Sequence, residues 1–257
     1  MLLSFRRTIT GTAGQFFSAL LVVLFLVCLS ETSAEMVSID GILHYYDING
    51  REAEKIGLDV SFYNNQIDWT AVKAQGIDFV IVRLGGRGWG SRGVLYGDRQ
   101  TQIYLRGARE AGLEIGAYFY STAKNPAEAL EEASAALATL DGMSLDLPLF
   151  IDMEYSGNYP YGRSDTLSQG MRADIVSTFC DAVESAGYRA GIYASEGYLR
   201  YDLDSQATSW LPVWLASYTV DNLLPTYTGK YEIWQYTDSG RVGGIDGPVD
   251  MNLMLSN

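Results

Sequence analysis

The chain has 257 residues, of which 47% are hydrophobic and 19% charged, and its formal net charge is −13. This composition supplies a well-filled core, and an acidic balance without a basic cluster excludes nucleic acid as a partner. The one histidine, His44, lies in a polar lead near the predicted mature N-terminus. Histidine-based nucleophilic triads and His-containing zinc sites within the domain are therefore excluded, so carboxylates, tyrosines or lysines must carry any chemistry.

Residues 1–34 have the pattern of a secretory signal peptide. Arg6 and Arg7 precede an apolar run at 16–29, and small residues lead up to Ala34. The run is shorter than the ~18 apolar residues typical of a membrane span. We therefore expect cleavage after Ala34 and a secreted or wall-associated protein, with an uncleaved membrane anchor as the alternative. The other cysteine lies in this segment, so Cys180 has no partner for an internal disulfide.

From residue 57 onward, short apolar runs alternate with amphipathic segments. Five predicted strands are each followed by a helical segment, and three more strands have connections too short for full helices. This alternation predicts a parallel, barrel-like α/β domain with its active site at the C-terminal ends of the strands. Residues 35–56 form a polar, Tyr-rich lead, and no linker divides 57–257. The predicted strands are 57–61, 78–84, 115–121, 147–155, 189–195, 212–218, 231–237 and 248–253, and the predicted helices end near 75, 111, 140, 186 and 206.

Polar and aromatic side chains gather at the predicted strand ends. In the fourth strand, LPLFIDMEY (147–155), residues two apart share a face, so Asp152 and Glu154 point the same way. Asp59 and Asp250 occupy comparable positions in the first and eighth strands. Aromatic faces stack on sugar rings while acids act on the glycosidic oxygen, so this set suits a sugar chain. The set is Asp59, Arg83, Tyr118, Tyr120, Asp152, Glu154, Tyr193, Trp214, Tyr218, Trp234, Gln235, Tyr236, Asp250 and Asn252.

Other interpretations remain open at this point. Asp152 and Glu154 could simply extend into solvent, and four carboxylates could bind a hard cation. A cation site calls for a dense loop of alternating acids, which the sequence lacks, so neither a metal nor another cofactor is predicted. The glycines of residues 85–97 lack a following GK[ST] element and predict a mobile substrate-binding loop rather than a nucleotide loop.

The motifs and their order resemble the glycoside hydrolase family 25 lysozymes, the Chalaropsis-type N-acetylmuramidases. The IDME element and the WQY…VDMN element together are the specific part of the resemblance, which covers essentially all of residues 57–257. The matching stretches are GLDVS (57–61), QIDW (66–69), GIDFVIVRLG (76–85), AGLEIGAYFYS (111–121), LPLFIDMEY (147–155), AGYRAGIYAS (186–195), VWLASY (213–218) and YEIWQYTDSGRVGGIDGPVDMN (231–252).

The resemblance implies a modified TIM-like barrel of five β/α units followed by three β-strands. It also implies cleavage of the β-1,4 bond between N-acetylmuramic acid and N-acetylglucosamine, with peptidoglycan glycan strands as the partner. Glu154 matches the catalytic acid, Asp152 its partner, and Asp59 and Asp250 the remaining acids. Many members have His where this chain has Phe119. The residues predicted to bind substrate are Arg83, Tyr118, Tyr120, Tyr193, Trp214, Tyr218, Trp234, Gln235 and Asn252.

These roles lead to a mechanistic expectation with named rivals. Glu154 needs a raised pKa, expected from Asp152 and a partly apolar cleft. Asp152 is expected to orient the substrate's 2-acetamido group, and a direct Asp152 nucleophile is the alternative. A silent glycan-binding module is one rival function. A chitinase-like enzyme is another, although Pro148 and Phe150 occupy acidic positions of the motif it needs. We expect a monomer without an obligate protein partner.

Overall fold

The computed structural model describes residues 34–47, 49–157, 162–204, 206, 208–218 and 224–255. All of them belong to one compact unit, residues 34–257. The predicted signal segment lies outside the described residues apart from Ala34. Within the described ranges, no helix has the length and apolar character that a membrane crossing requires.

The strands of the described chain form a two-stranded hairpin and one large sheet. The hairpin consists of β1 and β2, and the large sheet runs β3-β11-β10-β9-β8-β7-β6-β4-β5, with β3 also pairing with β4. This last pairing closes eight strands into a barrel, and β5 extends β4 beyond it. The strands are β1 (Glu35–Ile39), β2 (Ile42–Tyr46), β3 (Lys55–Val60), β4 (Phe79–Arg87), β5 (Leu95–Gly97), β6 (Glu114–Ser121), β7 (Leu149–Met153), β8 (Ala190–Ser195), β9 (Val213–Ala216), β10 (Ile233–Gly240) and β11 (Val249–Met254).

One helix follows each of the first five barrel strands, which confirms the predicted five β/α units and three further strands. Local capping explains several of the starts: the side chains of Asp68, Asn125, Ser168 and Ser195 each accept a backbone N–H from the first turn. The last helix starts directly after β8 and ends at Tyr201, before its predicted end near residue 206. The helices are α1 (Trp69–Ala74), α2 (Thr101–Glu110), α3 (Pro126–Leu140), α4 (Gln169–Ser185) and α5 (Glu196–Tyr201).

The eighth barrel strand departs from the predicted parallel arrangement. Strand β11 pairs antiparallel with both β10 and β3, whereas the other barrel pairs are parallel. The connection from β10 to β11, residues 241–248, is too short for the crossover that a parallel pair requires. Because β11 runs the other way, its first residues lie beside the C-terminal end of β3. Asp250 consequently reaches the same end of the barrel as Asp59.

The N-terminal lead is an ordered hairpin that covers the part of the barrel without helices. Tyr45 of β2 is fully buried, and its ring contacts Trp234 at 6.0 Å and Tyr236 at 5.5 Å between centroids. These two β10 side chains point outward, while Ile233 belongs to the cluster of apolar residues inside the barrel. Packing of aromatic rings on the outer surface of β10 thus takes the place of a sixth helix.

Candidate active site

Four carboxyl groups lie at one end of the barrel. Asp59 is in β3, Asp152 in β7, Asp250 at the start of β11, and Glu154 directly follows β7. Asp59 and Asp152 are 5% and 4% exposed, whereas Glu154 reaches solvent. Buried carboxyl groups this close together disfavour full ionisation, so each pair retains a proton more readily than an isolated acid does.

Asp59 and Asp250 form the first pair. They are directly opposite each other in the β3–β11 register, and a hydrogen bond joins their carboxyl groups. Oδ2 of Asp59 also accepts from Nδ2 of Asn252 and Nε2 of Gln235, both at 2.8 Å. Burial, followed by the charge of Asp59, raises the pKa of Asp250 to about 9. Since the two amide donors favour an ionised Asp59, the proton of this pair lies on Asp250.

Asp152 and Glu154 form the second pair, also joined by a hydrogen bond. Burial, and next the charge of Glu154, raises the pKa of Asp152 well above its usual range. Loss of hydration between the barrel walls also raises the pKa of Glu154, and the charge of Asp59 adds to this effect. The hydrogen bond from Asp152 acts in the opposite direction, lowering the pKa of Glu154. Of the two predicted causes, burial in the cleft does raise the pKa of Glu154, whereas the hydrogen bond with Asp152 lowers it.

The amides of Gln235 and Asn252 are held in one orientation by aromatic donors. Oε1 of Gln235 accepts from the hydroxyls of Tyr193 at 2.8 Å and Tyr218 at 2.7 Å. Oδ1 of Asn252 accepts from Nε1 of Trp214 at 2.7 Å. Both amide NH₂ groups are thereby directed at the carboxylate of Asp59. Two of the predicted substrate-binding residues therefore hold Asp59 directly, and three hold it through those two amides. The five are Gln235, Asn252, Tyr193, Tyr218 and Trp214.

Arg83 is fixed in the barrel mouth by contacts that the sequence did not reveal. Its Nε donates to Oδ2 of Asp98 at 2.9 Å, and its guanidinium lies over the rings of Phe62 and Tyr63, 5.1 and 5.3 Å from their centroids. Nη2 has no hydrogen-bond partner among the described residues. The positive charge of Arg83 lowers the pKa of Asp152 against the larger effect of burial, so it favours the ionised form of that acid.

Tyr118 and Tyr120 project from β6 on the same side as the acids. Tyr118 packs edge-to-face on Trp214, and Tyr120 is opposite Asp152 in the β6–β7 register. Burial raises the pKa of both tyrosines, so their hydroxyls are neutral donors at ordinary pH. Both predicted positions therefore belong to the site.

Trp234, a predicted substrate-binding residue, lies elsewhere, as does Tyr236 of the wider strand-end set. Trp234 is fully buried on the outer face of β10, and its Nε1 donates to the backbone carbonyl of Ser217 at 2.8 Å. Side chains alternate along a strand, and Gln235 already points inward, so its neighbour must point outward. That alternation was available in the sequence. Tyr96 was missed because residues 85–97 were interpreted only as a glycine-rich loop, and Asp98, which directly follows that loop, was not counted among the strand-end residues.

The described residues offer no group of three or more His, Cys, Asp or Glu side chains suited to a metal ion. A cavity of about 730 Å³ lies away from the acids, between the start of α1, the α2 helix and residues 244–246. Its lining holds no paired carboxyl groups like those of the barrel mouth. The paired acids, rather than this cavity, therefore identify the candidate active site.

The structure is an eight-stranded α/β barrel with paired carboxyl groups and aromatic side chains at the C-terminal ends of its parallel strands. This arrangement is typical of glycosidases. The family model described as "Glycosyl hydrolases family 25" matches residues 58–245. The chain therefore belongs to glycosyl hydrolase family 25, which confirms the resemblance found in the sequence.

Curated relatives include two lysozymes. The autolytic lysozyme of Clostridium acetobutylicum is 31% identical over 197 residues, covering 76% of this chain and 54% of that protein. Lysozyme M1 of Streptomyces globisporus is 28% identical over 214 residues, covering 76% and 66%. The chain thus spans between half and two thirds of these relatives.

Solved structures share the fold. The modular autolysin LytC of Streptococcus pneumoniae has a TM-score of 0.71 at 24% identity, over 85% of this chain and 51% of that one. A family 25 glycosyl hydrolase of Bacillus anthracis has a TM-score of 0.65 at 21% identity, over 80% and 90%. These likenesses establish the barrel architecture.

Proposed function

We propose that this protein is a lysozyme that hydrolyses the β-1,4 bond between N-acetylmuramic acid and N-acetylglucosamine in peptidoglycan. The observation that carries the proposal is the Asp152–Glu154 pair, in which a buried acid is hydrogen-bonded to one that reaches solvent. The names of the two curated lysozymes support the same substrate.

Glu154 is the group placed to transfer a proton. Its pKa is raised, so it keeps its proton to a higher pH than an isolated glutamate does, and its carboxyl group reaches the cleft. We assign it the protonation of the leaving glycosidic oxygen, and then the removal of a proton from the attacking water. One carboxyl group serves both steps because the first step leaves it ionised.

Asp152 acts on the substrate's 2-acetamido group when the shared proton lies on Glu154. Its Oδ1 has no hydrogen-bond partner among the described residues, and we assign this oxygen to the acetamido N–H. The acetamido carbonyl oxygen then attacks the anomeric carbon as the glycosidic bond breaks, and water opens the resulting ring with net retention. A direct Asp152 nucleophile is the alternative, and it requires the same state, with the shared proton on Glu154.

Glu154→Gln is the test of this assignment, with the exposed Glu110→Gln on α2 as the matched control. Loss of a general acid should reduce hydrolysis by about 10²–10⁴-fold while the unfolding transition stays unchanged. Mass analysis of digested peptidoglycan identifies the bond cut. Muramic acid at the new reducing ends supports the proposal, and glucosamine ends or wall binding without new ends would contradict it. So would a folded Glu154→Gln variant of undiminished activity.

We also infer that the protein acts outside the cytoplasm, on or near the cell wall. The support is the basic, apolar and small-residue pattern of residues 1–34 and the wall-bound nature of the proposed substrate. N-terminal sequencing of protein recovered from the culture medium and from membranes separates the cleaved form from an anchored one.

A further inference from the structure

The segment between Gly85 and Gly97 forms a raised hairpin at the edge of the site. Strand β4 continues past the barrel and pairs with β5, so that Gly86 is opposite Tyr96 and Arg87 is opposite Leu95. Several apolar side chains of this hairpin are exposed: Trp89 by 45%, Val94 by 58%, Leu95 by 37% and Tyr96 by 39%. Leu95 and Tyr96 are consecutive in β5, so they point to opposite faces, and Tyr96 is the exposed ring on the side of Tyr120.

The segment predicted as a mobile loop from its glycines forms a hairpin with several polar contacts behind it. Arg87 is buried and donates to Glu132 at 2.8 Å and to the backbone carbonyl of Gly93 at 3.0 Å. Arg163 pairs with Glu128 and donates its backbone N–H to the carbonyl of Trp89 at 3.1 Å. These contacts fasten the hairpin to α3 and to the segment after β7.

Tyr96 connects this hairpin to the catalytic acids. A Cβ added at Gly86 would lie 2.6 Å from the hydroxyl of Tyr96 and 2.8 Å from Cβ of Tyr120, so the ring of Tyr96 lies against the Gly86 backbone beside Tyr120. Tyr120 in turn is opposite Asp152. Burial raises the pKa of Tyr96, and the charge of Asp152 contributes in the same direction. The surface from Asp152 to Tyr96 is therefore continuous.

We propose that Tyr96 and the hairpin face around it form a further sugar-binding subsite, occupied by the glycan strand beyond the units that flank the cleaved bond. Neighbouring strands are about 4.8 Å apart, so the three steps from β7 through β6 and β4 to β5 span about 14 Å. The backbone of β5 therefore lies farther from Asp152 than one sugar unit, and the ring of Tyr96 leans from β5 back towards Tyr120. A tyrosine ring supplies an apolar face for sugar C–H groups and a hydroxyl for their oxygens. The inference rests on the proposed function, because it takes the same glycan strand as ligand.

The test measures kcat/KM for muramoyl glycans of four, six and eight sugars. In the unmodified protein, kcat/KM should rise with length, and Tyr96→Ala should abolish most of that rise, by about tenfold for the longest glycan. Tyr96→Phe keeps the stacking face and should retain most of the rise. Tyr201→Ala, which removes another exposed tyrosine at the end of α5, is the matched control and should behave like the unmodified protein.

Binding to the Glu154→Gln background separates this inference from the proposed function. Calorimetry with the eight-sugar glycan should show about tenfold weaker binding when Tyr96→Ala is added, whether or not hydrolysis occurs. A length dependence that survives Tyr96→Ala would overturn the subsite, as would an equal loss at all lengths. Absence of muramic acid ends from every glycan with the unmodified protein would instead overturn the proposed function.

Discussion

Asp59 and Asp250 share a proton across the antiparallel β3–β11 pair. The two residues are directly opposite each other, and burial together with the Asp59 charge raises the pKa of Asp250 to about 9. Gln235 and Asn252 each donate an amide N–H to Asp59, which assigns the negative charge to that residue and the proton to its neighbour. A carboxyl group kept neutral far above its ordinary pKa makes the stability of the fold depend on pH.

The first prediction concerns Asp250→Asn. The folded-state pKa lies above the unfolded value, so the stability contributed by the retained proton is complete below about pH 4 and is lost as pH rises towards 9. The free energy of unfolding should thus fall by up to about 1.4 kcal/mol per pH unit on account of this group. Asp250→Asn should remove that part of the slope, and the exposed Asp246→Asn should not. Urea unfolding at pH 5, 7 and 9 measures the slope, and an unchanged slope in Asp250→Asn contradicts the assignment.

The second prediction concerns Asn252→Leu. This change removes a donor to Asp59 and leaves the buried Nε1 of Trp214 without its acceptor. Two buried polar groups lose a partner, so the free energy of unfolding should drop by about 2–5 kcal/mol. Adding Trp214→Phe to Asn252→Leu removes the stranded N–H and should recover part of the loss. A double-mutant cycle in urea measures the coupling, and strictly additive effects would show that the two side chains do not depend on each other.

The third prediction compares two arginines with carboxylate partners. Arg87 is 5% exposed and its partner Glu132 is fully buried, so Arg87→Met leaves a buried acid without its cation. We expect a loss of about 3–5 kcal/mol in the free energy of unfolding. Arg109 and Asp146 pair with about two fifths of each side chain exposed, so Arg109→Met should cost about 1 kcal/mol or less. Equal losses in the two variants would contradict a structural role for the buried network.

The fourth prediction concerns the N-terminal hairpin. Tyr45 is fully buried against the outward-facing aromatics of β10, so Tyr45→Ala should lower the free energy of unfolding by about 3–5 kcal/mol. Ile39, at the tip of the same hairpin, is 42% exposed, and Ile39→Ala should change stability by about 1 kcal/mol or less. Thermal and urea unfolding of the two variants test whether the lead is part of the folded barrel. A harmless Tyr45→Ala would show that it is not.

The fifth prediction concerns salt. The formal charge of −13 should repel an anionic cell wall at low ionic strength, in contrast to the attraction that basic lysozymes gain. Wall binding would then depend on short-range contacts in the cleft. Initial rates of wall digestion should accordingly stay level or rise as salt goes from low to moderate concentration. A steep decrease over that range would show that long-range attraction contributes to binding.

The regular parts of the barrel could be predicted because each obeys a local rule. The run from Asp78 to Leu84 is rich in β-branched residues, and Pro126 begins a helix where its missing N–H costs nothing. The motifs around Asp152 and Glu154 likewise lie within one strand and the residue that follows it. The alternation of side chains along β10 also places Trp234 outside the barrel, because its neighbour Gln235 points inward.

The parts that were missed depend on contacts between distant segments. The hairpin of residues 85–97 is held by Arg163, which no local pattern connects to it. The lead around Tyr45 has little regular pattern of its own and is ordered by β10. The pKa of Glu154 is raised first by burial, and that burial depends on how distant segments pack around the strand end rather than on spacing in the sequence.

The closure of the barrel by β11 also determines when the site can form during folding. Asn252 and Asp59 are 193 positions apart in the chain, yet they share a hydrogen bond. Contacts of such separation form late, because the entropy of closing a long loop must be overcome first. A folding intermediate with β3 to β9 in place would still lack Gln235, Asp250 and Asn252 around Asp59. We therefore expect hydrolytic activity to appear only after β10 and β11 have joined the sheet beside Asp59.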